Sequence, residues 1–370
     1  MKKILAIICA GGSQLPLVNK AKEMGIETHC FAWDKEGYSK CKGIADYFHP
    51  ISILEKEQIL EKCKDIEIDG VTSVNNDYAV PTVAFVAQGM GLTGNRYEDM
   101  LIPGNKFTMR QAFSRNGVKS PQFVYANEES DLTDFQFPVI VKPVDRRSSI
   151  GVIKVERKED LQAAIQQAIE LSYCKEAIIE EFITGVEASV DTISYHGKHY
   201  FLGTKDNEYI KWEDHFLLLS KHYPSRLSPE IQEKMKVETI KVLDAINFRN
   251  GASNTQFIIT KDGEVFSLEI TPRLPGNRTH TNIILSTGYD IIKGVIDVAL
   301  DQFEEPVFTD NKYSGLCYLC KETEWAKQVI ENKENDSDIV EAAFYGKDEP
   351  LYGGRSGYFI YQSNKKRRWN

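Results

Sequence analysis

The chain has 370 residues, of which 42% are hydrophobic and 27% charged, and its formal net charge at pH 7 is −9. This length predicts two or three domains, and the acidic balance argues against a nucleic-acid coat or a membrane-surface binder. The chain has seven cysteines, an odd number that favours reduced thiols. No apolar run approaches the ~18 residues that span a bilayer, and together these features favour a cytoplasmic protein.

The first hundred residues alternate short apolar segments with helical patterns. Strands are predicted over Ile4–Cys9, Glu27–Trp33 and Gly70–Ser73, with helices over Gln14–Met24 and Lys56–Lys64. Such alternation is typical of an α/β domain with a doubly wound parallel sheet. The domain is expected to cover residues 1–103, because the Gly- and Pro-containing segment "TGNRYEDMLIPGNK" follows it as a boundary.

The turn "CAGGSQLP" follows the first strand, and Asp34 closes the second. This arrangement invites an NAD-dependent oxidoreductase as one hypothesis, with a pyrophosphate on the turn and a ribose on Asp34. The G-x-G-x-x-G spacing is absent, however, so a tight strand-to-helix turn bordering a small-substrate site is the alternative.

Beyond residue 103 the pattern becomes α+β. The predicted strands lie around Phe137–Lys142 and Gly151–Val155 and in "AIIEEFI" and "EASVDTISY". The predicted helices are Phe107–Asn116, Lys158–Leu171 and a long one opened by Ser228 and Pro229.

The segment "FPVIVKPVDRRSSIGVIKV" places Lys142 at the end of a buried strand, before a loop with Arg146, Ser148 and Ser149. Backbone amides, hydroxyls and guanidinium groups in one short loop suit the oxygens of a triphosphate. A β-hairpin with a charged tip is the alternative. A lysine within a buried strand is costly without an anionic partner, which favours phosphate binding.

The segment "VFSLEITPR" puts Glu269, Thr271 and Arg273 on one face of an otherwise apolar strand. A carboxylate and a guanidinium on one face of a core strand indicate a functional use rather than packing.

Five segments in this order resemble the ATP-grasp superfamily of carboxylate–amine ligases, and most closely its carbamoyl-phosphate-synthetase-like and L-amino-acid ligase branch. They are "PGNKFTMRQAF", "FPVIVKP", the loop 145–151, "IIEEFITGVEASVD" and "LEITPR". The resemblance implies a pre-ATP-grasp domain at the N-terminus, followed by an ATP-grasp fold of two α+β subdomains that clamp the nucleotide. Their expected bounds are 104–184 for the small lid subdomain and 185–370 for the large subdomain.

The resemblance also implies a set of contacts to ATP, the co-substrate. Lys106, Lys142 and the loop would meet the phosphates, Glu180 the adenine amino group and Glu187 the ribose. Lys205 is either a further phosphate contact or a surface lysine. The full set of expected ATP contacts is Lys106, Lys142, Arg146, Ser148, Ser149, Glu180, Glu181, Phe182, Ile183, Glu187 and Lys205.

In the family, a Glu-x-Asn-x-Arg strand binds Mg²⁺ (or Mn²⁺) and its arginine stabilises the transferred phosphoryl group. Glu269 and Arg273 match this pattern, and Lys142 and Arg273 are the expected catalytic residues. Thr271 replaces the usual Asn, and Gln256 stands where an acidic residue is usual, so the expected metal ligands are Glu269, Gln256 and Thr271. These departures imply weaker metal binding, one metal rather than two, or a catalytically degenerate nucleotide-binding protein.

The implied reaction forms an amide through an acyl phosphate and releases ADP and phosphate. The expected partners are a small-molecule carboxylate and an amine, amino acids among them, and family habit implies a homodimer. Candidate substrate contacts are Trp212, His215, Arg273, Asn277 and Arg278, the last as a bidentate partner of the carboxylate.

Overall fold

The computed structural model describes residues 2–126, 135–147, 149–212, 215–345 and 354–367, without the side chains of 211–216. The described strands form three sheets, two of four strands and one of eight.

The first sheet is parallel and has the strand order β3-β2-β1-β4. Along β1, Leu5 and Ile7 enter one hydrophobic core while Ala6 and Ile8 enter another, because side chains alternate across a strand. Both faces of this sheet are therefore covered, which confirms the predicted doubly wound arrangement. The elements are β1 (Ile4–Ile8), α1 (Leu15–Glu23), β2 (Glu27–Phe31), β3 (Tyr47–His49), α2 (Lys56–Ile66), β4 (Gly70–Thr72), α3 (Ala79–Met90) and α4 (Tyr97–Leu101).

The second sheet is antiparallel with the order β5-β8-β6-β7, and α6 packs on it through Ile165 and Ala168. Its elements are α5 (Lys106–Arg115), β5 (Phe123–Ala126), β6 (Val139–Pro143), β7 (Ile153–Val155), α6 (Leu161–Leu171) and β8 (Ala177–Glu181).

The third sheet is antiparallel with the order β13-β12-β9-β10-β11-β14-β16-β15. Its elements are β9 (Val186–Tyr195), β10 (Lys198–Trp212), β11 (His215–Tyr223), α7 (Pro229–Ala245), β12 (Gly251–Ile259), β13 (Val265–Thr271), α8 (Thr279–Thr287), α9 (Ile291–Ala299), β14 (Tyr313–Leu319), α10 (Ala326–Glu331), β15 (Ile339–Phe344) and β16 (Gly357–Ser363).

The strand register of this large sheet gathers polar side chains on one face. Glu269 lies opposite Gln256, which lies opposite Ser189, which in turn lies opposite Lys205. On the opposite face, Val190 and Phe257 pack with Met235 of α7 in a hydrophobic core. The large sheet therefore has one apolar face for packing and one polar face for chemistry.

Helix α9 packs between the first domain and strands β9 and β12 of the large sheet. Ile292 and Val295 share a core with Leu5 and Leu17, so the N-terminal sheet is completed by a helix from the C-terminal half.

The predicted fold class is confirmed. The domain limits near residues 103 and 184 stay predictions, although β8 and β9, on either side of residue 184, lie in different sheets. Across the described part of the chain, no helix combines the length and apolar content needed to cross a bilayer.

Candidate active site

A cleft between the small antiparallel sheet and the large sheet collects the sequence-remote motifs. We call it the nucleotide cleft. Its lining includes Lys106, Lys142, Arg146, Arg147, Ser149, Glu180, Glu181, Phe182, Ile183, Glu187, Gln256, Ile258, Leu268 and Glu269.

Glu180 is the fixed carboxylate of this cleft, at only 2% exposure. Its Oε2 lies 2.6 Å from the Lys142 ammonium, and its Oε1 lies 3.0 Å from Nε of the fully buried Arg110. Although burial opposes ionisation, the two cations hold the pKa of Glu180 down at about 2. Both Glu180 oxygens therefore pair with cations of the protein and orient Lys142 into the cleft.

Lys106 is the first residue of α5, whose N-cap Asn105 accepts from the backbone amides of Phe107 and Thr108. The Lys106 ammonium donates to the carbonyl oxygen of Arg146. Burial lowers the pKa of Lys106, and the Glu269 carboxylate opposes that shift. The Lys106 side chain therefore connects the start of α5 to the candidate phosphate-binding loop.

Each of the two loop arginines lies over an aromatic ring. The Arg146 guanidinium lies 4.4 Å from the ring centre of Tyr173, and that of Arg147 lies 4.7 Å from the ring centre of Tyr78. Ser149 has φ of 58°, in the left-handed region. The loop therefore links the nucleotide cleft to the N-terminal domain.

Glu269 on β13 faces Gln256 on β12 in register. Within the described residues, its carboxylate has no hydrogen bond or ion pair, in contrast to Glu180. Two residues beyond β13, Arg273 forms a bidentate pair with Asp77, with Nε–Oδ1 and Nη2–Oδ2 distances of 2.9 and 2.7 Å. Burial opposes the ionisation of Asp77, but Arg273 and Arg147 lower its pKa.

A second cavity, which we call the polar chamber, adjoins the cleft at Glu269, Gln256 and Arg147. Its lining also includes Asp77, Lys205, Asn207, Tyr209, Leu218, Lys221, Asn254, Thr271, Arg273, Asn277 and Thr279.

Asp191 holds Lys205, which lines the chamber. It accepts hydrogen bonds from the Lys205 ammonium at 2.6 Å, from the Tyr223 hydroxyl at 2.9 Å and from the Asn254 amide at 2.8 Å. Lys205 is 3% exposed, which excludes the alternative from the sequence that it is a surface lysine. Burial lowers the pKa of Lys205, which Asp191 opposes.

Comparisons with known proteins agree with this geometry. Residues 105–286 match the family model described as D-ala D-ala ligase C-terminus. A carbamoyl phosphate synthase large chain from Thermoanaerobacter sp. (strain X514) is 26% identical over 266 residues, which are 69% of this chain and 24% of that protein. A D-alanine–D-alanine ligase from Trichlorobacter lovleyi is 27% identical over 178 residues, which are 46% of this chain and 56% of that protein.

Two solved structures share the whole architecture. Phosphoribosylglycinamide synthetase from Anaerococcus prevotii superposes with a TM-score of 0.80 and 23% identity, covering 99% of this chain and 95% of that one. An L-amino acid ligase from Bacillus licheniformis superposes with a TM-score of 0.78 and 21% identity, covering 98% and 94%.

The chain has the ATP-grasp fold, and residues 105–286 are similar to ATP-grasp ligases. At these structural identities the likeness establishes the fold, and the chain spans less than two thirds of the length of the first curated relatives it matches.

The ATP-grasp fold brings most of the predicted site residues together. The nucleotide cleft receives Lys106, Lys142, Arg146, Ser149, Glu180, Glu181, Phe182, Ile183, Glu187, Gln256 and Glu269. The polar chamber receives Lys205, Thr271, Arg273 and Asn277. Ser148 lies outside the described residues, as do the side chains of Trp212 and His215.

Arg278 lies away from both linings. Its guanidinium pairs with Glu341 at 2.9 Å and donates to the Tyr358 hydroxyl at 2.6 Å. The side chain that the sequence offered for the substrate carboxylate is therefore held by β15 and β16.

Three site residues were missed in the sequence: Arg110, Asp77 and Lys221. Arg110 lies four residues after Lys106, on the same face of a helix, and that spacing was a usable signal. Asp77 follows β4 at the carboxyl end of a parallel sheet, where ligands of α/β proteins bind. For Lys221 we find no local signal, because it lies in an ordinary strand pattern.

The Gly11–Gly12 turn lines a separate pocket, together with Trp33, Tyr38 and Tyr78. Asp34, the ribose candidate of the oxidoreductase hypothesis, pairs with Lys42 at 2.6 Å. The relatives named above give that hypothesis no support, because none of them is an oxidoreductase.

Proposed function

We propose that the protein is an ATP-dependent carboxylate–amine ligase that forms an amide bond through an acyl phosphate and releases ADP and phosphate. The observation that carries this proposal is the junction at Glu269 and Gln256, where a cation-lined nucleotide cleft opens into a polar chamber that contains Arg273.

The nucleotide cleft has parts suited to each portion of ATP. Lys106, Lys142 and Arg147 supply positive charge for the triphosphate. Phe182 and Ile183 supply apolar walls for the adenine ring, beside the carboxylate of Glu187 for the ribose.

Mg²⁺ or Mn²⁺ fits the junction as a single ion. Glu269 offers a carboxylate without a protein partner in the described residues, and Gln256 offers an amide oxygen directly opposite. Thr271 would add a hydroxyl. The described residues contain no cluster of three or more His, Cys, Asp or Glu side chains suited to a metal, so phosphate oxygens of ATP would complete the ligand set. When bound, the ion supplies charge neutralisation at the phosphates.

The chemistry needs no protein nucleophile. A carboxylate oxygen of the substrate attacks the γ-phosphorus, and the bond from that phosphorus to the β–γ bridging oxygen breaks to leave ADP. The neutral amine then attacks the acyl carbon, phosphate leaves with the bonding pair, and the amine proton passes to solvent. Arg273, held by Asp77, is placed to offset charge on the transferred phosphoryl group.

Amino acids are the substrate class that we propose for both the carboxylate and the amine. The support is the likeness to D-alanine–D-alanine ligases and to an L-amino acid ligase. We also propose a cytoplasmic location, in keeping with the reduced thiols, and a homodimer stays a prediction from family habit.

A degenerate nucleotide-binding protein is the second candidate, because Gln256 brings a neutral oxygen where the family pattern has a carboxylate. Phosphate release from Mg-ATP, tested against amino acids singly and in pairs, separates the two. Release that requires a specific pair, and that Glu269→Ala abolishes, supports the ligase. ATP binding without release, followed by turnover in Gln256→Glu, supports the degenerate site.

A further inference from the structure

The cations of the polar chamber differ in whether the protein already neutralises them. Arg273 and Arg147 share Asp77, at shortest N–O distances of 2.7 and 3.6 Å. Lys205 pairs with Asp191 at 2.6 Å. Each of these three cations therefore has a carboxylate of the chain beside it.

Lys221 is the exception. It is 2% exposed, and its ammonium donates to one neutral acceptor, the Thr279 hydroxyl, at 2.9 Å. Within the described residues no carboxylate lies at ion-pair distance from it. The Thr279 hydroxyl in turn donates to the Gly276 carbonyl oxygen at 2.8 Å, so it accepts from Lys221 as a neutral group.

A buried ammonium with one neutral partner is costly, because water is removed and no opposite charge replaces it. Burial, reinforced by Lys205, accordingly lowers the pKa of Lys221. Packing alone does not account for this choice, since an apolar side chain of similar length would fill the same space without that cost. An anion arriving in the chamber would supply the missing charge.

The position of Lys221 narrows the choice of anion. Lys221 lines the polar chamber and not the nucleotide cleft, so we assign it to a substrate group rather than to the phosphates of ATP. From β13 to β11 the sheet order crosses four strand spacings of ~4.8 Å each, or about 19 Å along the sheet. This separation of the strand backbones puts Lys221 and Glu269 at opposite ends of the chamber lining, so we assign Lys221 to a group other than the reacting carboxylate.

We propose that Lys221 binds a carboxylate of the substrate pair that is not consumed in the reaction, namely the carboxylate of an amino acid that supplies the amine. The product then keeps a free carboxylate at this end of the chamber. This inference rests on the proposed ligase function, and its test measures binding without turnover.

The experiment uses the full chain saturated with Mg²⁺ and a non-hydrolysable ATP analogue. Binding of the L-amino acids, of their carboxamides, and of acetate against acetamide is measured by calorimetry. Each acid and its amide share the amine and side chain and differ only at the group that Lys221 would hold. The wild-type chain should bind at least one acid on the order of 100-fold more tightly than its amide.

Lys221→Met keeps the length of the side chain and removes its charge, and Lys221→Gln keeps a hydrogen-bond donor. Both variants should bind that acid and its amide with similar affinity. Lys241→Met, which removes an exposed lysine of α7, is the matched control and should keep the acid preference.

A stability measurement separates a ligand site from a structural lysine. Without ligand, Lys221→Met should melt at or above the wild-type temperature, because it removes a buried and poorly paired ammonium. A lower melting temperature together with an intact acid preference would assign Lys221 to structure and overturn the proposal. Absence of any acid preference in the wild-type chain, acetate included, would overturn it too.

The result is independent of catalysis. Loss of the acid preference in Lys221→Met, with no phosphate release from any mixture, would leave the carboxylate site standing and reject the ligase. If phosphate release persists and Lys221→Met keeps the wild-type preference for the acid over its amide, the ligase stands and the carboxylate site at Lys221 is rejected.

Discussion

Two lysines, Lys142 in the nucleotide cleft and Lys221 in the polar chamber, are held in opposite ways. In the cleft, Lys142 and Arg110 are bound to Glu180, which fixes their positions before any ligand arrives. In the chamber, the one hydrogen-bond partner of Lys221 among the described residues is the Thr279 hydroxyl. A cation that is paired with a carboxylate of the protein keeps its position before a ligand binds. A buried cation without a counter-ion instead indicates a position where a negatively charged ligand would bind.

The largest effect is expected at the border of the two regions. Glu269→Ala removes the carboxylate that we propose as the metal ligand, and we expect phosphate release to fall by about 1,000-fold, equivalent to several kcal/mol of lost charge stabilisation. Steady-state kinetics of phosphate release measures this. A loss of less than tenfold would reject Glu269 as the main protein ligand.

Glu180→Gln tests the paired cations of the cleft. It leaves Arg110 and Lys142 buried without their counter-ion, which should lower the free energy of unfolding by about 3–5 kcal/mol. Urea denaturation measures the loss. The double variant Glu180→Gln with Lys142→Met should be less destabilised than the single one, because one uncompensated charge is then removed.

The same carboxylate makes a pH prediction. The pKa of Glu180 is about 2 in the folded chain and 4.5 for the ordinary group. Its stabilising contribution is therefore present above about pH 4.5 and is lost as the pH falls towards 2. Wild type and Glu180→Gln should converge in stability over that interval, and a constant difference between them would contradict the ion-pair explanation.

Asp77→Asn tests how Arg273 is held. The amide keeps the size of the side chain but removes the charge of the bidentate pair, so kcat should fall by about tenfold while KM for ATP stays close to that of the wild type. Arg273→Lys keeps the charge but cannot form the bidentate pair, so it should also lower kcat while leaving KM for ATP nearly unchanged. Equal changes in kcat and in KM for ATP would assign Asp77 to the nucleotide cleft.

The smallest effect concerns Glu187. Burial raises its pKa to about 7, from 4.5 for the ordinary group, so folding favours its protonated form and that preference is lost as the pH rises through 7. A carboxylate accepts ribose hydroxyls better than a neutral acid, so adenosine should bind about threefold more tightly above pH 7 than below it. In Glu187→Gln the affinity for adenosine should not change with pH. If it changes with pH as in the wild type, Glu187 is not the ribose contact.

The sequence allowed much of the fold to be predicted. The first β-strand alternates between two cores as its apolar run indicates, and Ser228 caps α7 by accepting from the Ile231 amide. These features are local, because a few neighbouring residues determine them. The residues of the predicted motifs also line one cleft in the structure, although their roles stay predictions.

What escaped prediction depends on contacts between distant segments. Asp77 meets Arg273 across 196 positions of sequence, and no local pattern records such a contact. Arg278 lies seven residues after the end of β13, yet its backbone has φ of 53° and its side chain pairs with Glu341. Lys221 stands out only once burial and the partners of every neighbouring cation are known.

The packing of α9 on the N-terminal sheet limits how this protein could be recombined with its relatives. The carbonyl oxygen of Ala299, at the end of α9, lies so close to Gly70 that an added Cβ would sit 2.5 Å from it. An exchange of residues 1–103 alone would leave Ile292 and Val295 facing a foreign surface. A chimera that changes the N-terminal domain should therefore carry α9 with it, so the exchangeable unit is discontinuous in sequence.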